Sequence, residues 1–154
     1  SPSAIAKADL KGRTLIQRTS AGTQGIIRAA QASRLIAASF VVANATAEYI
    51  RNLAPQSISF LITGESDDRD GDEDRACAEF ISALVEDENA DPQEYTDRIL
   101  TSTVGQSFIK HQNAYLLAED IEMSQQVGIF GFVMQVNRYD GRLVMEKVPL
   151  KQAC

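Results

Sequence analysis

Three short apolar runs in the first half of the chain are each followed by a polar turn and then by a stretch with helical spacing. The runs lie at residues 13–17, 34–38 and 57–62 and have the length and character of buried strands. Repeated strand–turn–helix units predict a parallel sheet with right-handed crossover connections. The turns at 18–25, 39–44 and 63–74 would then leave the same edge of the sheet and open onto one crevice, where ligands bind in open α/β sheets.

Helical periodicity is clearest after residue 72. The stretch from Glu73 to about Asp87 places its apolar residues on one face. Pro92 after Asp91 is typical of a helix start. A second helix is predicted from Gly22 to about Ser33. A third begins with Asn44 or Thr46 as its cap and ends at Leu53. Two further helices are predicted at Val104–Leu117 and Ala118–Gln126.

The last part of the chain predicts an antiparallel hairpin. Residues 130–138 and 142–148 flank Asp140-Gly141, a strong signal for a type I′ turn. Together the patterns predict a single α/β domain over residues 1–154. The patterns give it a largely parallel sheet plus this C-terminal antiparallel hairpin.

Composition and charge narrow the classes of function. With 154 residues the chain is long enough for one core, and its net charge of −6 argues against nucleic acid or an acidic membrane as a partner. The longest apolar run, 35–45, is too short to span a bilayer. Cys77 and Cys154 form no disulfide framework, which favours a reducing cytoplasm. His111 is the only histidine, which excludes a site built from several histidines of this chain.

The turn from Arg18 to Gly25 is a candidate anion site. Thr19, Ser20 and Thr23 supply hydroxyl donors, Gly22 allows close approach of the backbone, and a helix N-terminus favours negative charge. Arg18 is the nearest cation in the sequence for a phosphate. Alternatively, Arg18 pairs with the acidic loop from Glu65 to Asp74. The alternative is an ordinary strand-to-helix turn in which a Ser or Thr caps the helix.

Seven carboxylates occur in the ten residues from Glu65 to Asp74. Clustered carboxylates suit Mg²⁺, and Glu73 and Asp74 at the start of a helix are the best placed to face the crevice. The alternative is a solvated loop whose acids stabilise a helix N-terminus. Asn44, in the second turn, either orients a ligand oxygen or caps its helix. Cys77 fits a buried core position better than a nucleophile.

In combination these stretches resemble the 2-phosphosulfolactate phosphatase family. The resemblance extends over nearly the whole chain and rests on the order of several motifs. These are Lys11-Gly12-Arg13 leading into Arg18-Thr19-Ser20-Ala21-Gly22-Thr23, the stretch from Ala38 to Ala47, Gly64-Glu65, Glu73-Asp74 before Ala76-Cys77-Ala78, and Phe130-Gly131-Phe132-Val133-Met134.

The resemblance implies a three-layer α/β/α fold, with the largely parallel sheet and the C-terminal antiparallel hairpin described above. It also implies a Mg²⁺-assisted phosphomonoester hydrolase of coenzyme M biosynthesis. Its substrate would be a small phosphorylated hydroxy acid that also carries a sulfonate or carboxylate. Glu73 and Asp74 would hold Mg²⁺ and Arg18 would neutralise phosphate oxygens, with water as the nucleophile. The phosphate would lie against Thr19, Ser20, Gly22, Thr23 and Asn44.

Two features set the chain apart from that family. Ala21-Gly22 stands where relatives often have Asn-Gly, and members are longer at the amino end. We therefore expect the chain to be the C-terminal part of a longer phosphatase, with a missing N-terminal segment of the same protein as its partner. A homodimer through the hairpin edge is a further expectation. The rival hypothesis is a non-catalytic small-anion-binding or interaction module.

Overall fold

A computed structural model of the chain describes residues 1–86, 89–110 and 117–150, which fold as mixed helix and sheet. The helices are α1 (Pro2–Ala6), α2 (Gly22–Arg28), α3 (Ala43–Leu53), α4 (Asp72–Val85), α5 (Pro92–Thr101), α6 (Thr103–Lys110) and α7 (Ala118–Ser124). The strands are β1 (Leu35–Ala37), β2 (Phe132–Tyr139) and β3 (Arg142–Pro149). The predictions for Asp87, His111, Cys154 and the end of the 104–117 helix lie outside the described residues.

The predicted C-terminal hairpin is confirmed. Strands β2 and β3 pair antiparallel, with Tyr139 opposite Arg142. Asp140 and Gly141 between them have φ values of 47° and 77°. A two-residue type I′ turn requires positive φ at both positions, so the local sequence specifies this turn.

The remaining sheet differs from the prediction. Strand β1 pairs antiparallel with β2, giving the order β1-β2-β3, so every strand pairing in the described ranges is antiparallel. Residues 13–17 and 57–62 are not strands, and no backbone hydrogen bond joins 14–17 or 57–62 to any other described segment. The parallel sheet and the three-layer arrangement are therefore not observed. An apolar run forms a strand only when its backbone pairs by hydrogen bonds with another strand, and these two runs have no such partner among the described residues.

The core lies between α3, α4 and α5. Phe80 of α4 is 1% exposed, and its ring centroid lies 6.0 Å from that of Phe40 and 5.2 Å from that of Tyr95. Ile81 is equally buried. Cys77, Leu84 and Val85 pack partly buried against the same cluster. The amphipathic face predicted for α4 is thus the face that builds the core.

Helix starts follow the sequence signals where a side-chain cap is present. Asp91 caps α5 by accepting a hydrogen bond from the backbone N–H of Gln93 at 3.0 Å, and Pro92 is the first residue of the helix. The predicted cap at Asn44 or Thr46 is wrong. A 3-10 turn at Phe40–Val42 runs directly into α3 at Ala43, so the helix begins before either residue.

Helix α2 ends at Arg28, earlier than predicted. It is short because it has little buried surface to stabilise further turns: Ile27 is 57% exposed. Among the helices of the described ranges, none combines the length and the apolar character that crossing a bilayer requires.

Candidate active site

Helix α4 begins at a glycine that its surroundings require. Gly71 precedes the helix with a left-handed φ of 61°, and a Cβ atom added there would lie 2.7 Å from the backbone N of Glu65. Three acids follow in the first turn, Asp72, Glu73 and Asp74. Negative charge is stabilised at a helix N-terminus, so this end of α4 tolerates a concentration of carboxylates.

Asp74 is held in place by the loop that precedes the helix. Its Oδ2 atom accepts hydrogen bonds from the backbone N–H of Thr63 at 3.2 Å, the Thr63 hydroxyl at 3.0 Å and the backbone N–H of Gly64 at 2.8 Å. Its Oδ1 atom accepts none from the described residues. One oxygen therefore fixes the carboxylate, and the other remains available to a ligand.

Glu73 lies beside Asp74 over the same glycine. A Cβ atom added at Gly64 would lie 3.1 Å from Glu73 Oε1 and 3.2 Å from Asp74 Oδ2, so both carboxylates converge on the Gly64 backbone. Glu73 Oε2 is buried and has no hydrogen-bond partner among the described residues. A buried carboxylate oxygen without a partner is costly, so this is a position at which a water or a cation would be stabilising.

The donor set fits a magnesium ion held jointly by protein and substrate. Within the described ranges, no group of three or more His, Cys, Asp or Glu side chains could hold a metal. Mg²⁺ is usually bound through one or two carboxylates together with substrate phosphate and water. Glu73 and Asp74 match that pattern, whereas they would not suffice as a cage built from protein ligands alone.

The first turn closes on itself through Thr19 and Thr23. The Thr23 N–H donates to the Thr19 hydroxyl at 3.1 Å, the Thr19 N–H donates to the Thr23 hydroxyl at 3.3 Å, and the Thr23 hydroxyl donates to the Thr19 carbonyl at 2.7 Å. A Cβ atom added at Gly22 would lie 3.3 Å from the Thr19 hydroxyl. The N-cap residue of α2 is Ala21, which has no side-chain cap, and the Thr23 N–H is satisfied instead by the Thr19 hydroxyl from two residues before the cap.

Helix α2 packs directly on the loop that holds Asp74. Gly25 is buried, and a Cβ atom added there would lie 2.3 Å from Thr63 Cγ2 and 3.5 Å from Leu61 Cδ2. Thr63 therefore contacts α2 with its methyl group and binds Asp74 with its hydroxyl. Thr63 thus links α2, the helix that follows the Thr19–Thr23 turn, to Asp74 in the first turn of α4.

The other predicted ligands are not brought to the two acids by any described contact. Arg18 is exposed and makes no hydrogen bond or ion pair with the described residues. Ser20 is also exposed. The Asn44 side chain lies against Gly128, since a Cβ atom there would lie 2.3 Å from Asn44 Oδ1. Their roles in phosphate binding stay predictions.

Sequence reasoning missed Thr63. A threonine has no chemical signature of a site residue, and its only signal is its position between an apolar run and Gly64. Its importance comes from two tertiary contacts, with Gly25 and with Asp74. A local pattern does not encode contacts of this kind.

Other acids of the 65–74 loop have structural partners. The Asp70 carboxylate accepts hydrogen bonds from the Thr103 N–H at 3.2 Å and from its hydroxyl at 2.9 Å. Asp72 pairs with Arg98, whose Nε lies 3.0 Å from Asp72 Oδ2. Hydrogen bonding to Arg98 lowers the pKa of Asp72. These two acids connect the loop and the start of α4 to helices α5 and α6, a tertiary role that differs from the solvated loop of the alternative hypothesis.

Cys77 is a core residue. Burial, together with the nearby charge of Asp74, raises the pKa of its thiol to about 12. A thiol in that state is a poor nucleophile at neutral pH, because only the thiolate attacks. The structure thus supports the choice of a packing role for Cys77.

Comparison with known proteins agrees with the sequence resemblance. The family model described as 2-phosphosulpholactate phosphatase matches residues 1–138. A curated protein of Bacillus subtilis (strain 168), "Probable 2-phosphosulfolactate phosphatase", is 29% identical over 144 residues, which are 93% of this chain and 62% of the relative. The chain therefore spans less than two thirds of that relative. No solved structure matches the chain significantly. Since the family model covers most of its length, the chain belongs to the 2-phosphosulpholactate phosphatase family.

Proposed function

We propose that the protein is a cytoplasmic phosphatase that hydrolyses 2-phospho-3-sulfolactate to 3-sulfolactate and phosphate with the help of Mg²⁺. Family membership supports phosphatase chemistry. The observation that carries the proposal is the buried, unpartnered Oε2 of Glu73 beside the tethered carboxylate of Asp74. A cation held by these two acids would satisfy that oxygen.

Phosphoryl transfer depends mainly on positioning and on neutralising charge at the phosphate oxygens. Mg²⁺, when bound, supplies that neutralisation. Glu73 and Asp74 are the residues that would hold the ion, and the Thr63 and Gly64 donors keep Asp74 in one orientation. Water is the nucleophile: its oxygen forms the new bond to phosphorus as the bond from phosphorus to the ester oxygen breaks. The proton that the water loses is balanced by the proton that the leaving alkoxide oxygen takes up, which gives the alcohol and phosphate.

Phosphate recognition falls to the first turn. Thr19, Ser20, Gly22 and Thr23 offer hydroxyl and amide donors next to the loop that positions Asp74, and Arg18 and Asn44 complete the proposed set. Binding there requires the Thr19 and Thr23 hydroxyls to exchange an internal partner for the ligand. The second candidate is an anion-binding module of the same fold without catalysis, which would use these donors and leave the acidic loop as solvated surface.

A phosphate-release assay on the product of the complete gene separates the two candidates. With 2-phosphosulfolactate as substrate, we expect turnover that requires Mg²⁺ and stops in EDTA. Asp74→Asn and Glu73→Gln should each lower kcat by about 100-fold or more. Asp67→Asn is the matched control, because Asp67 is an exposed acid of the same loop with no hydrogen bond to the described residues, and it should leave kcat within a factor of about two.

Two results would contradict the phosphatase proposal. One is hydrolysis that persists in EDTA and in both variants. The other is phosphate binding without turnover, indifferent to metal and to Asp74→Asn, which would identify the anion-binding module.

A further inference from the structure

Two segments outside every helix and strand expose apolar side chains, and their backbone groups bond to no other segment that the structure describes. We call residues 14–17 and 57–62 the unpaired segments. Ile16 is 95% exposed, Leu15 60%, Leu61 56% and Phe60 40%. None of their backbone groups bonds to another segment in the described ranges. Proteins usually pair or cover apolar segments whose backbone is unpaired, because such segments otherwise promote association with other chains.

Both unpaired segments lead directly into the candidate site. Residues 14–17 precede the turn of Thr19 and Thr23, and residues 57–62 precede Thr63, which binds Asp74. Leu61 also lies within contact distance of Gly25 in α2. Pairing these segments with other strands would therefore fix the positions of the Thr19–Thr23 turn and of the loop at Thr63.

We propose that the unpaired segments are strands of a sheet that is completed by a further stretch of the same protein, absent from this chain. The curated relative extends beyond the 62% of its length that aligns here, so such a stretch exists in a family member. Its complement to Leu15, Ile16 and Phe60 is an apolar strand-forming segment. On this proposal the active site is assembled only when that stretch is in place.

A second copy of this chain fits the first segment less well. Antiparallel self-pairing centred between Leu15 and Ile16 would set Arg13 of each copy opposite Arg18 of the other. Like charges directly opposite each other on neighbouring strands are destabilising. A non-identical segment avoids this repulsion.

Hydrogen–deuterium exchange on the complete gene product tests the proposal without reference to catalysis, so its failure is distinguishable from failure of the phosphatase proposal. We expect the amides of 14–17 and 57–62 to exchange about 100-fold or more slowly than in unstructured peptides of the same sequence. That protection should persist on dilution through the range in which the protein is monomeric. Exchange at peptide rates, or protection that disappears on dilution as a dimer dissociates, would overturn it.

A pair of variants gives a second readout. Ile16→Lys in the complete gene product should lower Tm by roughly 5–10 °C, because it places a charge where the added segment covers an isoleucine. Gln17→Lys, the neighbour that points to the opposite side of an extended chain, should shift Tm by less than about 2 °C. Equal shifts for the two variants would contradict the proposed pairing.

Discussion

At the scale of single residues, the candidate site depends on close approaches that only small side chains permit. Gly25 allows α2 to touch Thr63, and Gly64 leaves free the space beside which the carboxylates of Glu73 and Asp74 lie. Thr63 contributes both a methyl group to the first contact and a hydroxyl to Asp74. The position of α2 and the orientation of the acid are therefore coupled through a single side chain.

This coupling predicts the effect of Gly25→Ala. The new methyl group would meet Thr63 Cγ2 at 2.3 Å, so either α2 or Thr63 must move. We expect a loss of about 1–2 kcal/mol in the free energy of unfolding, measured with urea, after allowing for the better helix propensity of alanine. Because Thr63 also binds Asp74, the variant should lose phosphatase turnover as well.

The double variant Gly25→Ala/Thr63→Ser tests whether the contact with Thr63 Cγ2 causes the loss in the free energy of unfolding. Serine keeps the hydroxyl that donates to Asp74 and removes Cγ2, after which the closest remaining atoms lie 3.5 Å from the new Cβ. In the Thr63→Ser background, Gly25→Ala should be neutral or stabilising by up to about 1 kcal/mol. Gly131→Ala is the control, since no atom lies within 4 Å of its Cβ position. Equal destabilisation in both backgrounds would refute the contact.

At the scale of elements, α4 and α5 are connected by the ion pair between Asp72 and Arg98. The pair is bidentate, and Arg98 also bonds to Glu79 further along α4. Hydrogen bonding to Arg98 lowers the pKa of Asp72 below its ordinary value of 3.8. Asp72 begins α4, so this pair fixes the end of the helix from which Glu73 and Asp74 project.

The lowered pKa predicts how this link depends on pH. A carboxyl group whose pKa is lower in the folded state binds fewer protons there than in the unfolded state, so its contribution rises with pH. It is fully present above the ordinary value of 3.8 and is lost as pH falls through the lower folded value. Asp72→Asn should thus reduce the free energy of unfolding by about 1 kcal/mol at neutral pH.

Urea unfolding from neutral pH down to about pH 3 measures this difference. The difference in the free energy of unfolding between the parent protein and Asp72→Asn should become smaller as Asp72 is protonated. Asp67→Asn, which removes an exposed acid of the same loop, should show no comparable gap at neutral pH. A gap for Asp72→Asn that stays constant over the whole range would show that the ion pair is not its source.

The elements that the sequence predicts well are those whose signals are local. Asp140-Gly141 specifies the hairpin turn, Asp91-Pro92 specifies the start of α5, and the apolar face of α4 specifies its burial. The runs at 13–17 and 57–62 have equally clear local patterns and yet remain outside the sheet. A strand requires a partner, and a pattern within one segment does not say whether that partner is in the same chain.

In the candidate site, too, the residues with a local sequence signal are predicted and the tertiary contacts are not. Glu73 and Asp74 follow from acids at a predicted helix start, and the structure brings them together over Gly64. The partner of each neighbouring acid does not follow from the sequence, because Asp70 bonds to Thr103 and Asp72 to Arg98 some thirty residues away. Composition therefore predicts an acidic loop, but it does not predict which of its acids belong to the candidate site and which have structural partners.

At the scale of the whole molecule, stability should be concentrated in the core of α3, α4 and α5 and not in the segment around α2. Phe80 is 1% exposed and contacts two aromatic rings, whereas Ile27 of α2 is 57% exposed. Phe80→Ala should lower the free energy of unfolding by about 3–5 kcal/mol, because it removes buried surface and leaves a cavity. Ile27→Ala should change it by less than about 0.5 kcal/mol. Urea titration measures both, and similar losses would mean that α2 belongs to the cooperative core, with the first site loop as rigid as the helices behind it.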